Sequence, residues 1–490
     1  MRNFVSHRQH QYRPKLTQKI LKNLYILLFI NILAINILNA QSIKTDSNYV
    51  LNINDLYQII LDEHPLSQKA RLLPKQAQNM LMMAKGGFDP TVAADFSSKT
   101  FKDKNYWTYR DAYLKIPTWI GADLKLAFED NGGDLLDGSN QTPNSGLNYV
   151  GFAIPLGRGL VIDQRRAALK QARFFENQSE AEQNADLNKL LLQATKDYSA
   201  WYVAYQSFVF LDDAYNLASQ RDEFVRQRVL LGDAAPIDSV EAVLATQQRL
   251  LERNTVLLDL ENRRLMVSNY LWADDVPLQI QSNVVPIRNI ENLGLIAQDS
   301  LQRAIDFAQR FHPNIEKINF KGKILDIDRR LAREMLKPEI NIDAGILQQN
   351  SAFSVGIDRG FIADNYKIGA SVYIPIFLRK ERGKLGLSQL KVIDNGLDFI
   401  FEQQLIGNEV RMAYNQIKNL EQQLALSQVM VSNYTILRDG EKTRFDNGES
   451  SVFLINAREA KLVEARIKNA DIESKLIKAV AEWRFSIGLF

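Results

Sequence analysis

Two stretches decide the fold: "AKGGFDPTVAADF", residues 84–96, and "REMLKPEINIDAG", residues 333–345. Each leaves a helix-compatible run, crosses a proline and enters strict alternation. After Pro90, Val92, Ala94 and Phe96 alternate with Ala93, Asp95 and Ser97; after Pro338, Ile340, Ile342 and Ala344 alternate with Asn341, Asp343 and Gly345. A period of two with one apolar face predicts strands. Pro90 and Pro338 stand 248 residues apart, and so do His64-Pro65 and His312-Pro313. Equal offsets at two independent landmarks predict an internal duplication.

Outward from these landmarks the copies keep one plan. Proline disfavours helix in the residue before it and is welcome in the first turn after it, so His64-Pro65 and His312-Pro313 read as equivalent bends, with the histidines capping or packing. Pro74 and Gly322 share an offset, and both are expected to interrupt a helix. A second strand follows in each copy: "YVGFAIP" ends at Pro155, and "YKIGASVYIP" puts Ile368, Ala370, Val372 and Ile374 on one side. Residues 106–130 add alternating material to the first copy and suggest an extra hairpin. Then come long helices. From Leu160 to Leu231 there is neither Gly nor Pro, enough for roughly 105 Å at 1.5 Å per residue. Its seam Leu187, Leu191, Ala194, Tyr198, Trp201, Tyr205, Phe208 steps by four and three, the spacing of a coiled coil.

Composition frames this plan. The 490 residues are 46% hydrophobic and 24% charged, ordinary folded material. Residues 1–40 read as a signal peptide: a basic start, the apolar run Leu24 to Leu38, and "LNA" before Gln41. That leader holds six Lys/Arg and no acid, so its loss turns a formal charge of +3 into about −3 and removes the basis for a nucleic-acid partner. The expected domains are 1–40 signal peptide, 41–290 first repeat and 291–490 second repeat. No cysteine is present, which excludes disulfides, thiol chemistry and a lipidated N-terminal cysteine. His7 and His10 fall in the leader, leaving no histidine cluster for metal or Ser-His-Asp chemistry. No catalytic residue, metal or cofactor is expected, and "EDNGGDLLDGSNQ", residues 129–141, reads as a solvated loop.

Strands of about ten residues with one apolar face suit a transmembrane barrel, where no edge faces lipid. One chain cannot close such a barrel; three chains of four strands each make a twelve-stranded one. The lipid-facing candidates are Val92, Ala94, Phe96, Ile340, Ile342, Ala344, Ile368, Ala370, Val372 and Ile374.

The duplicated His-Pro helices, the two proline-to-strand passages, the strand exits "IPLGRG" and "IPIFLRK", and the turn "RFDNGESSVFLINAREA" together resemble the TolC-like outer-membrane efflux proteins. The resemblance runs from about Leu51 to Phe490. It implies a mainly α fold with β: coiled-coil helices carrying strands of a trimeric barrel in the outer membrane of a Gram-negative bacterium, and a helical tunnel in the periplasm. It implies an exit duct, not an enzyme, conducting small molecules or proteins from an inner-membrane pump reached through a periplasmic adaptor. The adaptor-docking turns would be Gly232, Ala235 and Pro236, with Arg444, Phe445, Gly448, Glu449, Ser450 and Ser451. Where the best-known member narrows its tip with acids, six and nine residues after the second glycine, this chain has Leu454 and Ala457. The first copy instead offers Asp238 and Glu241 as possible acidic rings, although Asp238 also suits the helix dipole after Pro236. The alternative is a soluble periplasmic coiled-coil scaffold or adaptor without channel activity.

Overall fold

The computed structural model describes residues 49–288, 300–349 and 364–490. The expected signal peptide and the boundary between the two repeats lie outside them. The chain divides into two compact units. The described residues of the small one are Tyr49 and Ser282–Val284, where the Tyr49 N–H donates to the Asn283 carbonyl at 3.0 Å. The elements below belong to the large one.

The first copy runs α1 (Ile53–Glu63), α2 (Pro65–Ala70), α3 (Leu72–Gly86), β1 (Thr91–Phe101), β2 (Lys104–Pro117), β3 (Asp123–Gly132), β4 (Leu147–Pro155), α4 (Gln164–Leu230) and α5 (Pro236–Ser268). The second runs α6 (Ser300–Phe311), α7 (Pro313–Glu334), β5 (Glu339–Gln348), β6 (Tyr366–Tyr373), α8 (Arg379–Asp446) and α9 (Val452–Ser486). Among the described residues no helix is long and apolar enough to cross a membrane.

Both His-Pro bends are built alike. His64 and His312 have extended backbone (ψ 133° and 135°) between two helices, and each Nδ1 accepts the N–H two residues on, from Leu66 at 3.1 Å and Asn314 at 3.2 Å. The histidine thus caps the helix that proline begins.

Two expectations are corrected. The first copy's strands do not form one hairpin with an appendage: β2 and β3 are inserted between β1 and β4, giving a single antiparallel six-stranded sheet, β6-β5-β4-β3-β2-β1. The sheet therefore holds six strands of this chain where four were expected. The β1–β2 turn is the pair Lys102-Asp103 with φ of 51° and 60°, the two-residue turn whose twist matches a hairpin. The second correction is Gly322, which interrupts nothing and lies inside the continuous α7. A Cβ there would stand 2.8 Å from Asn395 Nδ2 on α8, so glycine serves close approach of two helices.

Helix α4 is 67 residues and α8 is 68, each about 100 Å long. Helix α4 packs against α5, α7, α9 and α3, and α8 against α9 and α7. Leu191, Ala194, Tyr198 and Trp201 of the expected seam are buried, and so are Leu190, Tyr202 and Ala204 beside it. A helix flanked on several sides needs a wider apolar face than a two-stranded seam.

Candidate functional site: a one-faced sheet and a paired helical tip

Directly paired residues of a sheet share a face, so register assigns sides without reference to surroundings. Val92 pairs with Leu114, Leu114 with Leu126, Leu126 with Val150, Val150 with Ile346 and Ile346 with Tyr366. Ala344 pairs with both Phe152 and Ile368, Ile342 with both Ile154 and Ala370, and Ile340 with Val372. All the strand candidates therefore point to one side, joined by Leu124, Leu126 and Phe128 of the inserted hairpin. Ile374 is the exception in placement, lying one residue beyond the end of β6.

The apolar run shifts from strand to strand. Its centre moves by about seven residues along the strands over the five steps from β1 to β6, roughly 23 Å against 24 Å of sideways travel at the usual spacings. A band that crosses the strands at such a slope is level only if they tilt by about 45°, close to the tilt of membrane barrels.

The opposite face is polar. Asp95, Asp111 and Glu129 stand in one row across β1, β2 and β3. Lys367 Nζ lies 3.8 Å from Glu129, and Lys115 Nζ 2.9 Å from Asp123. Tyr149 lies across the paired glycines Gly151 and Gly345, at both of which a Cβ would collide with its ring. Among the described residues, outer strands β1 and β6 each have one unpaired edge.

At the far ends of the long helices the two copies repeat one construction. Gly232 and Gly448 have φ of 80° and 77°; the next residue, Asp233 or Glu449, donates its N–H to the carbonyl of Arg228 or Arg444 at 2.8 Å. This is the glycine-terminated helix end, in which a left-handed residue closes the last carbonyls. The Arg228 and Arg444 side chains in turn donate to the carbonyls of Asp233 and Glu449, at 3.3 and 3.4 Å. The pattern Arg, three residues, Gly, acid was legible in both copies, and sequence reasoning overlooked Arg228.

The remaining tip residues divide into exposed and internal. Ala235 precedes Pro236 at the start of α5 without a side-chain cap; Ser451 caps α9 through the Leu454 N–H at 3.3 Å. Pro236, Arg444, Gly448, Glu449 and Ser451 are exposed, and Ser450 Oγ bonds Glu441 Oε1 at 2.5 Å. Phe445 is corrected: it is 6% exposed, packed with Val225, Ala242, Val452 and Ile455, and holds the two helical hairpins together instead of facing a partner. Asp238 and Glu241 have no ion pair among the described residues.

Above the tip, Arg221 of α4 grips both carboxylate oxygens of Glu459 on α9 and the Asn456 Oδ1 at 2.6 Å. Both charged side chains are 11% exposed. This clamp between hairpins, 238 residues apart in sequence, has no local signature.

Midway along α4 a belt of tyrosines fixes its neighbours. Tyr198 Oη accepts the Ile287 N–H at 3.0 Å and lies 2.7 Å from the Leu51 carbonyl. Tyr202 donates to Glu473 Oε2 at 2.8 Å, and Tyr270 to Asp197 Oδ2 at 2.5 Å. Burial pushes all three phenols up, reinforced for Tyr202 by Glu473 and for Tyr270 by Asp197, so they remain donors. Burial also holds His64 and His312 below the usual histidine value. Among the described residues no group of His, Asp or Glu is arranged to hold a metal.

A sequence model of the family described as outer membrane efflux protein matches residues 312–489. No curated protein matches the chain in sequence. In fold it is similar to the CmeC outer membrane channel of Campylobacter jejuni (15% identity, 89% of this chain and 85% of that one, TM-score 0.61). It is likewise similar to the MtrE outer membrane channel of Neisseria gonorrhoeae (13%, 89% and 89%, 0.62). The outer membrane protein VceC of Vibrio cholerae gives 13% identity over 89% and 96% of the chains, with a TM-score of 0.61. The chain thus shares the fold of these outer membrane channels along nearly its whole length, and over residues 312–489 it carries the sequence pattern of the outer membrane efflux protein family.

Proposed function

We propose that the protein is the outer-membrane exit duct of a tripartite export system, working as a homotrimer. The observation that carries this reading is the sheet: six strands, one apolar face inclined as tilted barrel strands require, and two open edges. Pairing β1 of one chain with β6 of the next removes every edge, and three chains then give an eighteen-stranded wall with the polar face inward. The ten candidate residues, from Val92 to Ile374, meet lipid in this arrangement.

The helices support the same assembly. Leu244, Leu251, Leu258 and Leu265 form a row of seven-residue spacing exposed along α5, and α8 exposes Leu405, Met412 and Leu426. Stripes of this kind are seams awaiting a neighbour. The repeats of 41–290 and 291–490 place two helical hairpins per chain around a periplasmic tunnel. Its tip turns, Gly232 to Pro236 and Arg444 to Ser451 with Phe445 inside, receive an adaptor that links the duct to a pump. Asp238 and Glu241, unpaired on successive turns, form threefold acidic rings that favour cations.

Because the chain has no cysteine, edge pairing is testable by introducing two. Pairs placed on β1 and β6 should oxidise into species of up to three chain masses in membranes. Only intrachain products or none, across a panel of registers, would reject closure by three copies. Unchanged conductance and ion selectivity in Asp238→Asn with Glu241→Gln would remove the acidic rings.

A further inference from the structure

We propose that the junction between β6 and α8 binds the phosphate headgroup of an anionic glycerophospholipid in the periplasmic leaflet, an inference that rests on reading the sheet as a membrane wall. Past Val372 the chain continues through Ile374, Pro375 and Ile376, then turns at Leu378, whose φ of 49° is rare for a bulky aliphatic residue. The turn encloses a cavity of about 590 Å³ lined by Arg158, Met335, Phe377, Arg379, Lys380 and Lys384.

Positive charge is in excess in this lining. Arg379 lies over the Phe377 ring at 5.0 Å, and Lys384 Nζ contacts the Met335 sulfur at 3.7 Å. Arg379, Lys380 and Lys384 have no ion-pair partner among the described residues, and Arg158 has only Glu339 at 3.9 Å. One acid, Glu381, joins the lining. The equivalent exit of the first copy is balanced: Arg165 pairs with Asp123 at 2.8 Å, Arg166 with Asp163 at 3.4 Å, and Arg166 also holds the Leu160 carbonyl at 3.1 Å. Like charges gathered in excess of their counter-charges repel one another, and an anion relieves them.

Position and polarity select a lipid. Ile376 is 89% exposed and Phe377 67%, directly below the apolar band, and the cations stand on the helical side of them. An acyl chain along the band leaves its phosphate at this depth, the geometry of a basic site at a membrane margin. Trp119, 80% exposed in the β2–β3 turn at the same end of the sheet, suits the same interface.

The test uses the detergent-purified mature oligomer, with retained lipid counted by native mass spectrometry. Phosphatidylglycerol should be kept about tenfold or more over phosphatidylcholine of the same chains. Arg379→Gln/Lys380→Gln/Lys384→Gln should abolish the preference, and Lys380→Arg/Lys384→Arg should keep it, separating charge from misfolding. Equal retention of both lipids, or an unchanged preference in the triple glutamine variant, overturns the proposal. So does displacement of phosphatidylglycerol by equimolar inorganic phosphate, which assigns the cavity to a free anion. Quenching of Trp119 by brominated phosphatidylcholine, taken as the difference from Trp119→Phe, checks the wall separately. Quenching without headgroup preference sinks only this site; no quenching sinks the wall itself.

Discussion

Replacing Leu126 by arginine puts a charge at the middle of its strand's outward run, between Leu124 and Phe128. Register joins it to Leu114 and Val150 on the same face, so no inward route exists for the guanidinium. An arginine on the lipid face at mid-depth costs about 2–4 kcal/mol, falling to roughly 0–1 near the interfaces. In the proposed trimer three copies in one wall suffer about 6–12 kcal/mol, comparable to the whole stability of a domain. Ser371→Arg, on the polar face opposite Asn341, carries the same charge and should be nearly neutral. Heat or denaturant dissociation of the oligomer in lipid vesicles measures both. Leu126→Arg should fail to assemble or should dissociate far earlier, with Ser371→Arg close to wild type. Equal behaviour of the two variants would refute the assignment of faces, and with it the membership of the inserted hairpin in the wall.

Other predictions concern the helices. Arg221→Ala strands the nearly buried Glu459 and should cost about 3–5 kcal/mol, whereas the double variant Arg221→Met/Glu459→Leu recovers most of it; thermal melting distinguishes them. Gly232 and Gly448 have open space where a methyl group would stand, so their alanine variants should lose only the backbone term, about 1–2 kcal/mol each, and Gly448→Asn less. For the bend histidines the sign is set by burial: a folded-state pKa below the unfolded one, about 6.5, means the unfolded chain binds protons first. Stability should be full above that value and fall as pH drops through it, until the folded-state pKa is passed. His312→Asn keeps a cap and should blunt this loss, whereas His312→Ala should cost about 1 kcal/mol at neutral pH.

How much of this was legible in the sequence depends on the range of each interaction. Local features were readable: histidine before proline, glycine at a helix end, and the parity of Val92, Ala94 and Phe96 each rest on neighbouring residues. The inserted hairpin was visible only as a suggestion. Along β2, Tyr109 and Tyr113 on one face alternate with Arg110, Ala112 and Leu114 on the other, so aromatic residues blur the polarity contrast that marks a strand. Its place between β1 and β4 depends on pairing, which no single segment encodes. Gly322 was misread because composition shows a weak helix former, while the need for it comes from Asn395 on another helix. Phe445 was assigned outward from its turn, yet Val225 and Ile455 enclose it. The Arg221–Glu459 clamp and the unbalanced cations beside Lys384 likewise depend on which helices meet.

The central claim is a conducting oligomer, and planar-bilayer conductance of the detergent-purified mature protein, with its mass determined in the same preparation, tests it most directly. The account predicts stable trimers with discrete, cation-favouring conductance. A detergent-independent, non-conducting monomer would contradict it and return the chain to the soluble coiled-coil scaffold.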